Sequence, residues 1–415
     1  MILRARVVLP LSRPPVQDGA VLIYGNRVAR VGRWKDLSGD DRDEVFDLGD
    51  TVLLPGLVNA HCHLDYTDMA GQFPPQKAFT DWIKLITTAK SEWNYSEFAE
   101  SWLRGARMLV RTGTTTVADF EAVPELLPEV WDATPLRMIS FLEMTGIKSR
   151  RHPGSILRDA TERIDSLPAG RSRARIAPHA PYSTAPELLR LSAETARERR
   201  WPISVHVAES APEFEMFTRA SGEMHHWLKR NQRDMSDCGL GSPVQQLHRS
   251  GALCANLLAV HVNYLAAKDA ALLGRKKVSV AHCPRSHAYF KHAPFPLREL
   301  ARARVNVCLG TDSLASVETT RRQTIELNLF TEMQTLAAAQ PQLAPKTILQ
   351  MATLNGARGL GMSGQVGEIS VGAFADVIAL PFAGKLKAVH ETVLNHRGDL
   401  AASLIDGQWA VAPPQ

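Results

Sequence analysis

LLPGLVNAHCHLD, residues 53–65, decides how the rest of the chain is read. Pro55-Gly56 is a turn signal, Leu57 to Ala60 a short strand-like run, and His61-Cys62-His63 closes it with two imidazoles. Side chains alternate across a strand, so His61 and His63 face one way and Cys62 points into the opposite packing. Two imidazoles on one face of a strand end make a two-point grip on a divalent cation. A chain with 14 histidines also produces an HxH pair by chance, so the reading turns on the strands C-terminal to it.

Seven more buried-strand runs come after it: TTTVADF (114–120), LRMISFLEM (136–144), RARIAPHAPYS (173–183), PISVHVAES (202–210), LLAVHVNYL (257–265), VSVAHCPRS (278–286) and VNVCLGTDS (305–313). Helical patterns such as FAESWLRGARMLVRTG and APELLRLSAETARERR separate them. Eight strands alternating with helices predict a TIM (β/α)₈ barrel, whose catalytic groups collect at the C-terminal ends of the strands. A doubly wound open sheet is the competing α/β fold, but it gives no reason for His and Asp side chains to converge from separate strands. Both ends of the chain instead show hairpin patterns, as in GAVLIYGNRVARVG and AASLIDGQWAV. Residues 1–54 and 358–415 are therefore expected to pair into one composite β-sandwich, with 55–357 as the barrel domain. The long interval between His206 and His261 is expected to line the substrate site.

The later strand ends supply the context that HxH needs. The fifth run carries His206-Val-Ala-Glu209, and the eighth carries Gly310-Thr-Asp312-Ser313. With His61 and His63, the residues His206 and Asp312 form a His₃Asp set that leaves a coordination position for water, as catalytic sites require. Singly, His206 reads as a core histidine and Asp312 as a helix N-cap; four such residues at barrel strand ends make coincidence a poor account. A bound Zn²⁺ lowers the pKa of water to about 7 and supplies a nucleophile near neutrality. Glu209, three residues beyond His206, reaches that water without ligating and is the candidate general acid/base. His261 is placed to orient the water, against the competing reading of a core histidine, and His179 at the fourth strand end to touch substrate. Bridged two-metal barrels need a lysine on that strand; RARIAPHAPYS has none, so one divalent ion is expected. Zn²⁺ is the first choice, with Fe²⁺ or Mn²⁺ accepted by the same donors.

Composition narrows the class. At 415 residues, 45% hydrophobic and 22% charged, the chain holds a large core, and no apolar run reaches the roughly 18 residues of a membrane span. The start, MILRARVVLPLSRPP, lacks the apolar core of a secretory signal, which makes a cytoplasmic location the expectation. Five cysteines with no CxxC fit reduced thiols. A net charge of +5, scattered along the chain, gives no nucleic-acid stripe. The clusters Lys148 to Arg151 and Arg197 to Arg200 read first as solvated ends, and second as phosphate or carboxylate contacts.

LLPGLVNAHCHLD, RTGTTTVAD, APHAPYS, HVAES, VHVNYL, AHCPRS, LGTDSLAS, ATLNGARGLG and VGAFADVIAL together resemble the amidohydrolase superfamily. The branch is that of adenosine, S-adenosylhomocysteine, aminofutalosine and guanine deaminases and triazine hydrolases. The resemblance spans almost the whole chain in order and implies a distorted TIM barrel with a composite β-sandwich. It implies the same four ligands, with Glu209, His261 and Asp312 catalytic. It also implies that His179 contacts the base, Asp81 beside Trp82 the ribose hydroxyls, and Arg150 or Arg151 a substrate carboxylate, with His282 and Ser313 as further contacts. His287 stands where many relatives carry Asn. The implied activity is hydrolytic deamination of an aminopurine or adenosine-like nucleoside, of aminofutalosine or S-adenosylhomocysteine type. The partner is then a small heterocyclic amine, with a homodimer as an open expectation.

Three alternatives compete with that activity. The same machinery serves a triazine chlorohydrolase or aminohydrolase, or a cyclic amidohydrolase. A catalytically silent barrel kept for binding is the non-enzyme reading, against which Glu209, His261 and Asp312 argue. Gly359-Leu-Gly361-Met-Ser-Gly364 spells the dinucleotide motif GxGxxG, but it follows a helical run and precedes strands, so helix-ending turns explain it better.

Overall fold

The computed structural model describes residues 1–37, 44–146, 151–318 and 325–413. Eight strands form the central sheet: Leu57–Cys62, Thr114–Glu121, Arg137–Met144, Arg173–Pro178, Ile203–Val207, Leu257–His261, Ser279–His282 and Asn306–Leu309. Each is hydrogen-bonded in parallel to the next in chain order. The first and last strands meet through a bridge between Cys62 and Asp312, and the Thr311 and Asp312 amides donate to the His61 carbonyl at 2.9 and 3.1 Å. Asn59 completes that seam, accepting from the Thr311 amide and donating to its hydroxyl. The close approach requires Gly310, since a Cβ there would lie 2.7 Å from the His61 carbonyl oxygen. The sheet is thus a barrel, as the eight polar-tipped runs predict.

The barrel interior is apolar through its middle. Val58, Ala60, Phe120, Ile139, Phe141, Ala177, Leu258 and Val260 form one buried cluster, closed by Leu360 and Met362. Ala60 faces inward, so strict alternation would turn His61 outward. The register shifts between Asn59 and Cys62, a local irregularity of the kind that re-aims side chains beside sites, and His61 lies 4.8 Å from the Phe120 ring inside the barrel.

The chain ends form a second sheet. Its order runs from Gln408–Val411 through Ala402–Ile405, Val377–Pro381, Thr51–Pro55, Ile2–Val8 and Val16–Tyr24 to Arg27–Arg33, with Val45–Asp47 paired to Ile2–Val8. Thr51–Pro55 pairs antiparallel with Val377–Pro381, which joins the two ends of the sequence. Buried Arg137, at the start of the third barrel strand, donates to Asp376 at 2.8 and 3.1 Å and to Asp406 at 2.9 Å. That bidentate ion pair fixes the terminal sheet against the barrel. No helix among the described residues is long and apolar enough to cross a membrane.

Candidate active site

The C-terminal strand tips converge on a cavity of about 560 Å³. At its base the ligand atoms of His61, His63 and His206 lie within 4.8 Å of one another, and those of Glu209, His261 and Asp312 form a second such group. Asp312 ties the two together: its Oδ1 lies 3.5 Å from His61 Nε2 and 3.8 Å from His63 Nε2. Its other oxygen accepts from the Ser316 hydroxyl at 3.0 Å. Four residues separated by up to 251 positions in the chain are therefore neighbours.

Tautomers and strain fit the cluster for a cation. His206 Nδ1 lies 3.0 Å from the His179 carbonyl, which only accepts, so Nδ1 carries the proton and Nε2 is left as a donor of electrons. Among the described residues, both ring nitrogens of His61 and the Nδ1 of His63 are buried without a hydrogen-bond partner. Orphaned imidazole nitrogens facing one another beside a carboxylate are the donor set of a divalent ion. Burial and the neighbouring imidazoles push His63 and His206 well below the usual histidine range, keeping them neutral as ligation demands. Burial alone would raise the Asp312 carboxyl, but His61 beside it and the nearby imidazoles outweigh that and hold it well below the ordinary carboxylate range. Ala208, His261 and Asp312 all adopt left-handed backbone, at φ 49°, 72° and 54°; such strain clusters where a side chain must be aimed.

Glu209 and His261 face each other, with Oε1 3.5 Å from Nε2. Burial first, then Asp312 and Glu213, pushes the Glu209 carboxyl well above its usual range; burial pulls His261 down to about 3. The backbone of Glu209 is held from two sides. Glu213, in Ser210-Ala-Pro-Glu213, accepts from the Ala208 and Glu209 amides at 3.0 and 2.8 Å. Asn263 donates to the Glu209 carbonyl at 2.9 Å, and its Oδ1 meets His287 Nδ1 at 3.0 Å. A carbonyl acceptor fixes the amide's orientation, so His287 donates through Nδ1. The histidine that departs from the usual Asn thus steadies Glu209 through Asn263.

The other expected residues divide. His63, Trp82, His179, His206, Glu209, His261, Asp312 and Ser313 line the cavity. His179 is hydrogen-bonded to the Ser183 hydroxyl. Asp81 does not line it; the carboxylate is exposed and pairs with Lys84 at 2.8 Å. Arg151 is exposed and pairs with Asp159, and Arg150 lies outside the described residues. His282 is buried behind the cavity, stacked on Phe295 at 3.8 Å. Sequence reading missed Lys90, Tyr66, Glu143, Tyr182 and Trp227, all of which line the cavity. Lys90 hydrogen-bonds the Tyr66 hydroxyl and lies 4.5 Å over its ring. Its signal was helical spacing, since Trp82, Ile86 and Lys90 sit four apart on Phe79–Glu92. Glu143 follows Phe141 by two residues on the inward face of the third strand. Trp227 comes from the interval after His206, which supplies cavity wall as expected.

An eight-stranded barrel with a histidine-rich cluster of metal-binding composition at its strand tips defines a barrel hydrolase. The chain belongs to the amidohydrolase family, whose description matches residues 52–409. The 5-methylthioadenosine/S-adenosylhomocysteine deaminase of Syntrophobacter fumaroxidans is 32% identical over 384 residues, covering 88% of this chain and 80% of that protein. Among solved structures, an adenosine deaminase from Xanthomonas campestris with bound zinc superposes with a TM-score of 0.83 at 24% identity, covering 98% of this chain and 92% of that one. The Helicobacter pylori aminofutalosine deaminase in complex with methylthio-coformycin gives 0.86 at 19% identity, covering 99% and 100%. These two likenesses establish the fold. Family and deaminase relatives together make the chain a hydrolase acting on C–N bonds.

Proposed function

We propose that the protein deaminates an adenosine-type nucleoside, of S-adenosylhomocysteine or aminofutalosine kind, with one divalent ion held by His61, His63, His206 and Asp312. The supporting observation is the juxtaposition of that donor set with the Glu209–His261 pair at the base of one cavity. Aromatic walls at Trp82, Tyr182 and Trp227 suit a planar heterocycle. Zinc is the proposed ion; when bound it acts as a Lewis acid that lowers the pKa of water to about 7.

The chain's own groups then divide the proton work. Glu209 gives its carboxyl proton to the ring nitrogen beside the amine-bearing carbon as water oxygen adds to that carbon. His261 holds the incoming water in line through Nε2. Asp312 takes the proton released by the water; as the ring carbonyl forms, the added oxygen gives its remaining proton to Glu209, which delivers it to the departing amine, and the proton on Asp312 returns to Glu209 to reset the pair. Water and amine are thereby exchanged for a ring carbonyl and ammonia. His179 and Ser313 hold the heterocycle from the cavity wall.

Ammonia release from metal-loaded protein across adenosine, S-adenosylhomocysteine, aminofutalosine and guanine tests this. Turnover of one or more adenosine-type substrates is expected. No ammonia from any of them overturns the proposal, and chloride release from a chlorotriazine in their place transfers the site to triazine hydrolysis.

A further inference from the structure

The N-terminal ends of the barrel strands, opposite the active site, carry a second cavity of about 480 Å³. Arg173, Arg175, Arg197, Arg200 and Arg358 wall it, together with Trp201, the turn Gly359 to Met362 and other uncharged residues. Among the described residues, no carboxylate lines it. A neighbouring hollow of about 440 Å³ shares Arg197 and adds His248, Arg275, Lys276 and Lys277, again without an acid among the described residues. Elsewhere on the surface, arginines find partners: Arg190 pairs with Glu187 and Glu194, and Arg199 with Asp165.

Arg173 and Arg175 share the inward face of their strand. They pair in register with Ile139 and Phe141, and Ala177, two residues beyond Arg175, belongs to the barrel interior. Arg175 is half-buried; among the described residues its Nε has no partner, and its hydrogen bond runs from Nη1 to the Ala174 carbonyl at 2.5 Å. Burial, then the like charge of Arg173, pulls its pKa down to about 10. A guanidinium withdrawn from water among other cations, with no counter-charge in the cavity wall, is unfavourable until an anion joins it.

We propose that this floor cavity binds a small diphosphate-bearing anion, remote from the active site and separate from its chemistry. Its volume falls in the range of small-molecule sites. Planar guanidinium forks match phosphate oxygens bidentately. Gly361, at φ 69° with nothing within 4 Å of its Cβ position, lets a ligand approach the backbone. The GxGxxG turn, without a role in the dinucleotide context, thereby acquires one as part of the wall. A free diphosphate and the diphosphate of a nucleotide present the same chemistry.

Isothermal titration of the metal-loaded protein with sodium pyrophosphate, and separately with ADP, at low ionic strength decides the matter. One saturable site per chain is expected, weakened at least about tenfold in Arg175→Gln and in the exposed double variant Arg200→Gln/Arg358→Gln. Turnover should be unchanged in both variants. Tighter binding of ADP assigns the nucleotide, and equal binding the bare diphosphate; either supports the site. Absence of saturable binding to wild type overturns it. So does an affinity unchanged in both variants, which is how an anion seated on the active-site metal would behave. Salt-dependent binding of duplex DNA without binding of pyrophosphate also overturns it, making the face a nucleic-acid surface.

Discussion

The two ends of the barrel are built from the same eight strands and carry opposite chemistry. At the C-terminal tips, histidines and carboxylates face one another: Asp312 meets His61 and His63, and Glu209 meets His261. At the N-terminal ends, cations gather with no acid among the described lining residues. Between them lies the apolar layer of Phe120, Phe141, Ala177 and Leu258. Packing in that middle layer is what a barrel needs for stability, which leaves both rims free to diverge. One rim sets carboxylates among imidazoles in a donor set that fits a cation; the other, with no acid among its described lining residues, is the one proposed to take an anion.

Breaking one rim while watching the other puts this contrast to the test. His61→Ala should cause the largest effect, with loss of bound metal by elemental analysis and turnover reduced roughly a thousandfold or more. Pyrophosphate binding at the opposite rim should stay intact. Unchanged metal content would remove His61 from the ligand set. Next, Glu209→Gln should keep the metal and lose about 10²- to 10⁴-fold in kcat, the range of general acid–base catalysis; near wild-type turnover would refute its role. His287→Ala should lower kcat by about tenfold with KM nearly unchanged, because Asn263 loses its support while the cavity wall stays in place. A rise in KM alone would make His287 a substrate contact instead.

A last effect acts on stability rather than turnover and concerns pH. Burial pushes the Glu332 carboxyl up to about 8, with Arg285 opposing. A folded-state pKa above the ordinary carboxylate value means that its stability contribution is present at low pH and is lost as pH rises through about 8. Urea unfolding should therefore show greater stability at pH 5 than at pH 8, by up to about 3–4 kcal/mol from this group. Glu332→Gln should flatten that slope, and identical slopes in both proteins would disprove the assignment.

Much of the fold was legible because each barrel strand is short, apolar and closed by a polar residue. The metal-binding composition was legible for the same reason, since HxH, HVAE and GTD stand at those tips. The inward turn of His61 was not, because it depends on a register shift that strict alternation cannot express. Asp81 and Trp82 show a helical limit of the same kind. Neighbours on a helix point about 100° apart, so Trp82 can line the cavity while Asp81 faces water. Lys90 was hidden in plain spacing, two steps of four beyond Trp82. Glu213 was marked by Ser210-x-x-Glu, a helix-start signature whose carboxylate here serves the loop behind it.

Pairing of Thr51–Pro55 with Val377–Pro381 also sets a timetable for biosynthesis. At about 5–20 residues per second, the roughly 320 residues between them take on the order of 15–60 s to emerge from the ribosome. Throughout that interval the N-terminal strands wait with an open hydrogen-bonding edge, a template for unwanted pairing with other nascent chains.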